Sequence, residues 1–492
     1  MNHEVIDGIP VLWTSAPGPL EAALVFGCGA RDETLRTLGV THLIEHLAMS
    51  TLPRLHHDHN ASVDLEVTEF TCSGQPEQVV DFLARVCAAL GALPLDRIDR
   101  EAGVLEAEDG RVASPQTGEL LSHRYGVKGL GLASYRGPGA DRIPVEAVEE
   151  ARARYFHAGN AVLVLTGPPP AGLRLPLPAG ERPRHELSVP AQTTGPSWRP
   201  EDVPGPGLAL NTGLANDALN LAVDVFAQRL RDSARHQQGL SYDVGSDVAD
   251  AGNGRGERTV YLDAREGQGQ KVGELLWQEA LRLARDGVTE EELAEEREGL
   301  REAWTDPRGT VLELCAAAAR LLFDEPYRDV DARLAAIAAV TPEQARAAFA
   351  EALETALLVV PEDCGIAPHL PDGTPVPRHR CSVRTGLPDG GRVFRPSLAD
   401  RLRYSAARRT RLVVDDAGVW AQEPDGEIHH VPFDEVVAVE VRGPGRIVFG
   451  RSTCFVPVVP DLFADLGPAV RAIDAAVPAH LIYHASALRS AD

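Results

Sequence analysis

The segments IPVEAVEEARARYF (143–156) and NAVLVLTG (160–167) are answered later in the chain by VTPEQARAAFAEAL (340–353) and TALLVVPE (355–362). Each pair reads as a helix followed by a short apolar strand. Each stops at a Pro/Gly-rich stretch, GPPPAGLRLPLPAGERPR (167–184) after the first and PEDCGIAPHLPDGTPVPR (361–378) after the second. Thr341, Pro342 and Gln344 give the later helix an N-cap, a first-turn proline and a capping-box partner, and Thr289 with Glu292 opens another helix the same way. Long helical stretches such as GQKVGELLWQEALRLARDG (269–287), mixed with short β-rich runs, predict the α+β class. The expectation is two homologous domains with helices packed on largely antiparallel sheets.

The punctuation divides the chain into a first domain at 1–170, a linker at 171–204, a homologous second domain at 205–360, a linker at 361–399 and a C-terminal unit at 400–492. The last unit is β-rich. RLVVDDAGVWA (411–421), GEIHHVPFDEVVAVEV (426–441) and RIVFG (446–450) read as strands and turns, and PDLFADLGPAVRAIDAAV (460–477) carries a helix. Strands capped by one helix suggest a pleckstrin-homology-like barrel.

A formal net charge of -24, from 48 basic against 72 acidic residues, argues against a nucleic-acid partner, because a polyanion would be repelled by most of the surface. Lysine occurs only at Lys128 and Lys271, so there is no polybasic membrane tether. The seven cysteines (Cys28, Cys72, Cys87, Cys315, Cys364, Cys381, Cys454) are odd in number and widely spaced, and read as free thiols of a reducing cytosol. The opening MNHEVIDGIP has no charged-then-apolar signal pattern, and no window has the roughly 18 apolar residues of a membrane span. A cytoplasmic protein without a membrane partner is expected.

Chemistry concentrates in THLIEHLAMS (41–50). Val40, Leu43, Ile44 and Leu47 fall on one side of a helix, which places His42, Glu45 and His46 together on the other. Two imidazoles one turn apart beside a carboxylate suit two zinc ligands and a general base, and equally a solvated helix face. A catalytic zinc takes three protein ligands, and DREAGVLEAEDGR (99–111) offers Glu101 and Glu108, seven apart and so two turns apart on one helix face. Such acidic faces are often merely solvated.

The order of these pieces resembles the pitrilysin and insulinase-type zinc metallopeptidases, the inverted zincins, over about the first 360 residues. DGIPVLWTSAPGPLEAALVFGCGARDETLRTLGVTHLIEHLAMST (7–51) is similar to that family's opening, with Gly39 leading into HxxEH. DHNASVDLEVTEFTCSG (58–74) resembles its substrate-edge strand with an Asn-Ala pair, Asn60 and Ala61. RLRDSARHQQGLSYDVGSDV (229–248) resembles its segment bearing an arginine and a tyrosine, Arg235 and Tyr242. On the residues alone, Arg235 could instead face the carbonyl end of a helix stopped by Gly239, with Tyr242 in a strand core. One departure stands out: Glu108 follows His46 by only 62 residues (108 minus 46), closer than the family has it by about one helix. The shortening falls between Thr51 and Asn60, where LPRLHHDH (52–59) brings His56, His57, Asp58 and His59 into a loop.

The resemblance implies a zinc endopeptidase hydrolysing peptides or small unfolded proteins in an enclosed chamber, leader-peptide processing among its roles. Zinc, one per chain, would be held by His42, His46 and Glu108, with Glu45 as catalytic base and Glu101 as an accessory acid. Arg235, Tyr242, Asn60 and Ala61 would bind substrate. It also implies pairing as a homodimer, or as a heterodimer with a related subunit. The family's alternative is a non-catalytic or substrate-presenting subunit of a heteromeric peptidase.

Overall fold

The computed structural model describes residues 1–108, 112–185 and 195–484. The first unit is a six-stranded sheet in the order β1 (Asn2–Ile6), β2 (Ile9–Trp13), β6 (Ala161–Leu165), β3 (Leu20–Phe26), β5 (Thr68–Gly74), β4 (Asp58–Val63). Only β2 and β6 run parallel. Its helices are α1 (Val40–Met49), α2 (Pro76–Gly91), α3 (Ile98–Ala107), α4 (Pro115–Tyr125) and α5 (Val145–Tyr155).

The second unit repeats the plan. Its sheet runs β7 (Ser197–Glu201), β11 (Leu357–Pro361), β8 (Gly207–Gly213), β10 (Arg255–Leu262), β9 (Val244–Gly252), with β7 and β11 parallel as β2 and β6 are in the first unit. Strand for strand, β7, β8, β9, β10 and β11 stand where β2, β3, β4, β5 and β6 stand in the first. The helices are α6 (Asp217–Leu230), α7 (Gly269–Asp286), α8 (Glu290–Thr305), α9 (Thr310–Leu322), α10 (Val330–Ala338) and α11 (Pro342–Leu353). The expected capping boxes form at Thr289/Glu292 and Thr341/Gln344.

The two strands that prompted the reading, AVLVL and LLVVP, are apolar without alternation because both faces of each are covered. On β6, Leu163 and Leu165 join Phe26, Phe70, Leu43 and Ile44 in the first core. Val162 and Val164 point the other way, onto Leu314, Ala318 and Leu322 of α9, a helix of the second unit. The exchange is reciprocal: Leu357 and Val359 of β11 meet Leu120 of α4, a helix of the first unit. Polar contacts lock α4 in place. Arg124 Nε donates to Glu257 Oε1 at 2.9 Å, Tyr125 Oη to Glu257 Oε2 at 2.8 Å and Asn211 Nδ2 to the same oxygen at 2.7 Å, all buried.

The C-terminal unit is two four-stranded sheets around one core. The first is β12 (Arg392–Phe394), β13 (Arg411–Val414), β14 (Gly418–Gln422), β15 (Ile428–Pro432). The second runs β18 (Phe455–Val458), β17 (Gly445–Gly450), β16 (Val436–Arg442), β19 (Ile482–His484). Leu412 and Val431 from one sheet and Val448 and Val456 from the other pack with Ile473 of α13 (Gly467–Ala476), which caps the sandwich. A short helix, α12 (Leu398–Arg403), precedes it.

Both linker readings need correction. Ser197–Glu201 is a strand of the second sheet, and Leu173 and Leu175 lie in the first core, so described parts of both ends of 171–204 belong to the two units. In 361–399, Val376 reaches the second core, the His379 amide donates to Trp198 O at 2.7 Å, and β12 pairs with β13. Proline and glycine mark where regular backbone pairing fails, but isolated apolar side chains between them still find cores. The cysteine reading is corrected too: Cys381 and Cys454, 73 residues apart, form a disulfide, while Cys28, Cys72, Cys87, Cys315 and Cys364 are free. Only the folding of sheets brings such distant thiols together, and no sequence spacing announces it.

Candidate functional site: a His/His/Glu cluster on α1

Helix α1 buries Val40, Leu43, Ile44, Leu47 and Ala48 against the first core, which turns His42, Glu45 and His46 toward α3. Both its ends are held by side chains of the sign the helix dipole favours. Gly39, at φ 92°, leaves the N-terminus without a side-chain cap. Glu33 supplies the acceptors instead, taking hydrogen bonds from the Gly39 amide at 2.7 Å and the Thr41 amide at 2.8 Å. At the other end Arg97 donates to Ser50 O. Sequence reasoning missed both residues. A glutamate six positions before a glycine, or an arginine a helix away, carries no local signal.

Glu108 is not on the helix face expected for it. α3 ends at Ala107, and Glu108 follows in extended conformation, its amide bonded to Leu105 O. Off the helix, its carboxylate reaches both imidazoles: Oε2 lies 3.4 Å from His46 Nε2 and 3.8 Å from His42 Nε2. Glu45 Oε2 is 3.6 Å from His42 Nε2 and 3.8 Å from His46 Nε2. Glu101 takes a different place, 3.8 Å from His46 Nδ1, the ring nitrogen on the side away from Glu108. From there its carboxylate can act on the orientation of the His46 ring. Residues 109–111 of DREAGVLEAEDGR lie outside the described residues.

The electrostatics suit a cation. Burial, then the Glu108 and Glu101 carboxylates, pushes Glu45 up to about 8. Burial, then His46, holds His42 down at about 4 against the pull of Glu108. A neutral His42 imidazole offers a lone pair, and the mutually repelling carboxylates around Glu45 are what a divalent ion would relieve. Three donors about 2.0–2.2 Å from a tetrahedral zinc stand about 3.3–3.6 Å apart; Glu108 Oε2 stands 3.4 and 3.8 Å from the two imidazole nitrogens, and the three donor atoms lie within 4.8 Å of one another. The residues fit the ion.

Asn60 and Ala61 lie on β4, the edge of the first sheet, paired with Thr71 and Phe70 of β5, and no strand among the described residues pairs with the other side. Asp58 and His59, expected in a loop, already belong to this strand. Arg235 lies in a π-helical continuation of α6 (Arg231–Gln237) that ends at Gly239, φ 62°. Tyr242 is neither core nor strand: its side chain is 75% exposed, and the Arg235 guanidinium stands 5.3 Å from its ring centroid. Asp263 Oδ1 fixes this turn, accepting from Ser241 Oγ and from the Tyr242 and Asp243 amides. Among the described residues, no hydrogen bond or ion pair joins Arg235 or Tyr242 to the histidine cluster.

Residues 197–300 match the family described as the peptidase M16 inactive domain. No curated protein matches the chain. Among solved structures, the chain is similar to a peptidase M16 inactive domain from Pseudomonas fluorescens (19% identity, TM-score 0.58, 73% of this chain and 97% of that one). It is also similar to a chain of Candida albicans complex III (13%, 0.58, 73% and 95%) and to a protease from Helicobacter pylori (13%, 0.55, 73% and 98%). At such identities the likeness establishes the shared α+β fold. With the match over 197–300, it supports a relationship to the peptidase M16 proteins.

Proposed function

We propose that this chain is a zinc-dependent endopeptidase acting on peptides or small unfolded proteins, with leader-peptide processing as one such task. The observation that carries the reading is the convergence of His42 Nε2, His46 Nε2 and Glu108 Oε2 with Glu45 beside them. A zinc ion held by those three would bring the pKa of a water down to about 7 and polarise a peptide carbonyl. Glu45, within 3.6–3.8 Å of both imidazoles but left out of the ligand set, takes that water's proton on Oε2 and returns it to the leaving amine. Glu101 keeps the His46 ring turned toward the cluster. An extended substrate adds along the free edge of β4 past Asn60 and Ala61. Arg235 and Tyr242, exposed and stacked, grip substrate carbonyls and the oxyanion.

A second reading has its own observation: the family match names an inactive domain and stops short of α1. On that reading the chain is a non-catalytic or substrate-presenting subunit. Two substitutions separate them. Glu45→Gln removes the base and no ligand, so bound zinc should stay while peptide hydrolysis falls by about 10² or more. Glu108→Gln removes a ligand, so zinc and activity should fall together. Wild-type protein without stoichiometric zinc, and a Glu45→Gln rate equal to wild type, would leave the subunit reading.

A further inference from the structure

The C-terminal unit holds a second convergence of metal-binding side chains, unrelated to α1. Cys381 arrives on the segment between the second and third units, His429 sits on β15 of one sheet, and Cys454 ends the turn between β17 and β18 of the other. Cys381 and Cys454 are buried and joined as a disulfide. His429 Nδ1 stands 3.0 Å from the Cys381 sulfur and 4.0 Å from that of Cys454, within hydrogen-bonding reach of both. A disulfide is a poor hydrogen-bond partner and gains little from an imidazole nitrogen aimed at both its sulfurs. A cation bound by two thiolates needs such a nitrogen. All three donor atoms lie within 4.8 Å of one another.

We propose that Cys381, Cys454 and His429 form a redox-gated Cys₂His site for a zinc-class divalent cation, closed when the cysteines are joined and opened when they are reduced. A thiol or phosphine supplies the two electrons. With a phosphine, the S–S bond breaks, water gives each sulfur a proton, and its oxygen leaves as the phosphine oxide. The cation then displaces both thiol protons and is held by two thiolates, one neutral imidazole and a water. Thiolate and imidazole ligands select zinc over magnesium or calcium. Under oxidising conditions a covalent bond ties the connecting segment to the β17–β18 turn; under reducing ones the cation would tie it to both sheets.

Cobalt(II) tests the site separately from the α1 cluster, because only thiolates give an intense sulfur-to-cobalt charge-transfer absorption, and His42, His46 and Glu108 include no sulfur. Full-length protein reduced with a phosphine should develop that absorption, saturating at one equivalent per chain, and zinc should bleach it. The oxidised protein should show none. Cys381→Ser should lose the band while Cys72→Ser keeps it. If Cys381→Ser fails to fold, alkylation decides: zinc should protect Cys381 and Cys454, and no other cysteine, in reduced wild type. A reduced protein without the band, or zinc that leaves both thiols as reactive as before, overturns the proposal and leaves the peptidase reading untouched.

Discussion

Glu101 and Glu108, to which the family resemblance assigns different roles, stand at different nitrogens of His46. Seven residues apart, they would share one face of an uninterrupted helix, yet α3 ends between them and sends Glu108 to the Nε2 side of His46 and Glu101 to the Nδ1 side. Glu101→Gln should therefore retain zinc with weakened affinity, about 10-fold or more, and lose less activity than Glu45→Gln. A variant identical to wild type in zinc affinity and rate would relegate Glu101 to the helix surface. His379 provides a test of acid stability. Burial, with His123, Arg199 and Arg124 nearby, holds it down at about 3. An unfolded histidine titrates near 6.5, so the unfolded chain takes up a proton first as pH falls. The stabilisation is complete above about 6.5 and is lost as pH drops toward 3, at up to about 1.4 kcal/mol per unit. Urea unfolding of His379→Gln between about pH 6 and 4 should show a shallower loss than wild type. Equal slopes would mean that other groups dominate.

At the scale of elements, α1 is the piece whose anchoring and chemistry coincide. Its Gly39 N-terminus depends on Glu33 for acceptors, and its first turn carries His42. Glu33→Ala should cost about 1–2 kcal/mol of stability, the range for losing a cap, and should also weaken zinc binding because the helix presenting two ligands frays. Thr341→Ala removes a comparable cap from α11, where no site residue lies, so calorimetry should register about 1 kcal/mol while zinc affinity holds. If both variants shift zinc affinity equally, the effect is one of global stability. The capping box of α11 was legible because all its parts lie within four residues. The cap of α1 was not, since Glu33 reaches across a turn whose course depends on the rest of the unit.

In the whole molecule the two units hold each other's sheets closed, α9 on the first and α4 on the second. Within one chain Arg235 and Tyr242 meet each other, their exposure leaving them open to a neighbour. In the homodimer that the family resemblance implies, each histidine cluster would face the partner subunit's copy of this arginine and tyrosine pair across a two-fold axis. Glu45→Gln and Arg235→Ala/Tyr242→Phe proteins, each inactive alone, should then regain roughly a quarter of wild-type activity after subunit exchange. Half of random dimers are mixed, and each mixed dimer carries one intact site. No recovery despite demonstrated exchange, or a fully active monomer, would rule out the shared site.

By itself the sequence determined the repeated α+β plan, the central strands of the C-terminal unit from β13 to β17, and the face of α1 that carries His42, Glu45 and His46. Each is written in periodicity or turn chemistry within a few residues, where backbone geometry alone dictates which side chains share a face. Tertiary structure decided the rest. It alone set the exchange of α4 and α9 between sheets, the break that frees Glu108 from α3, the exposure of Tyr242, and the meeting of Cys381, His429 and Cys454. These depend on contacts between residues tens to hundreds of positions apart, and close packing of two faces, not local propensity, fixes which of them meet.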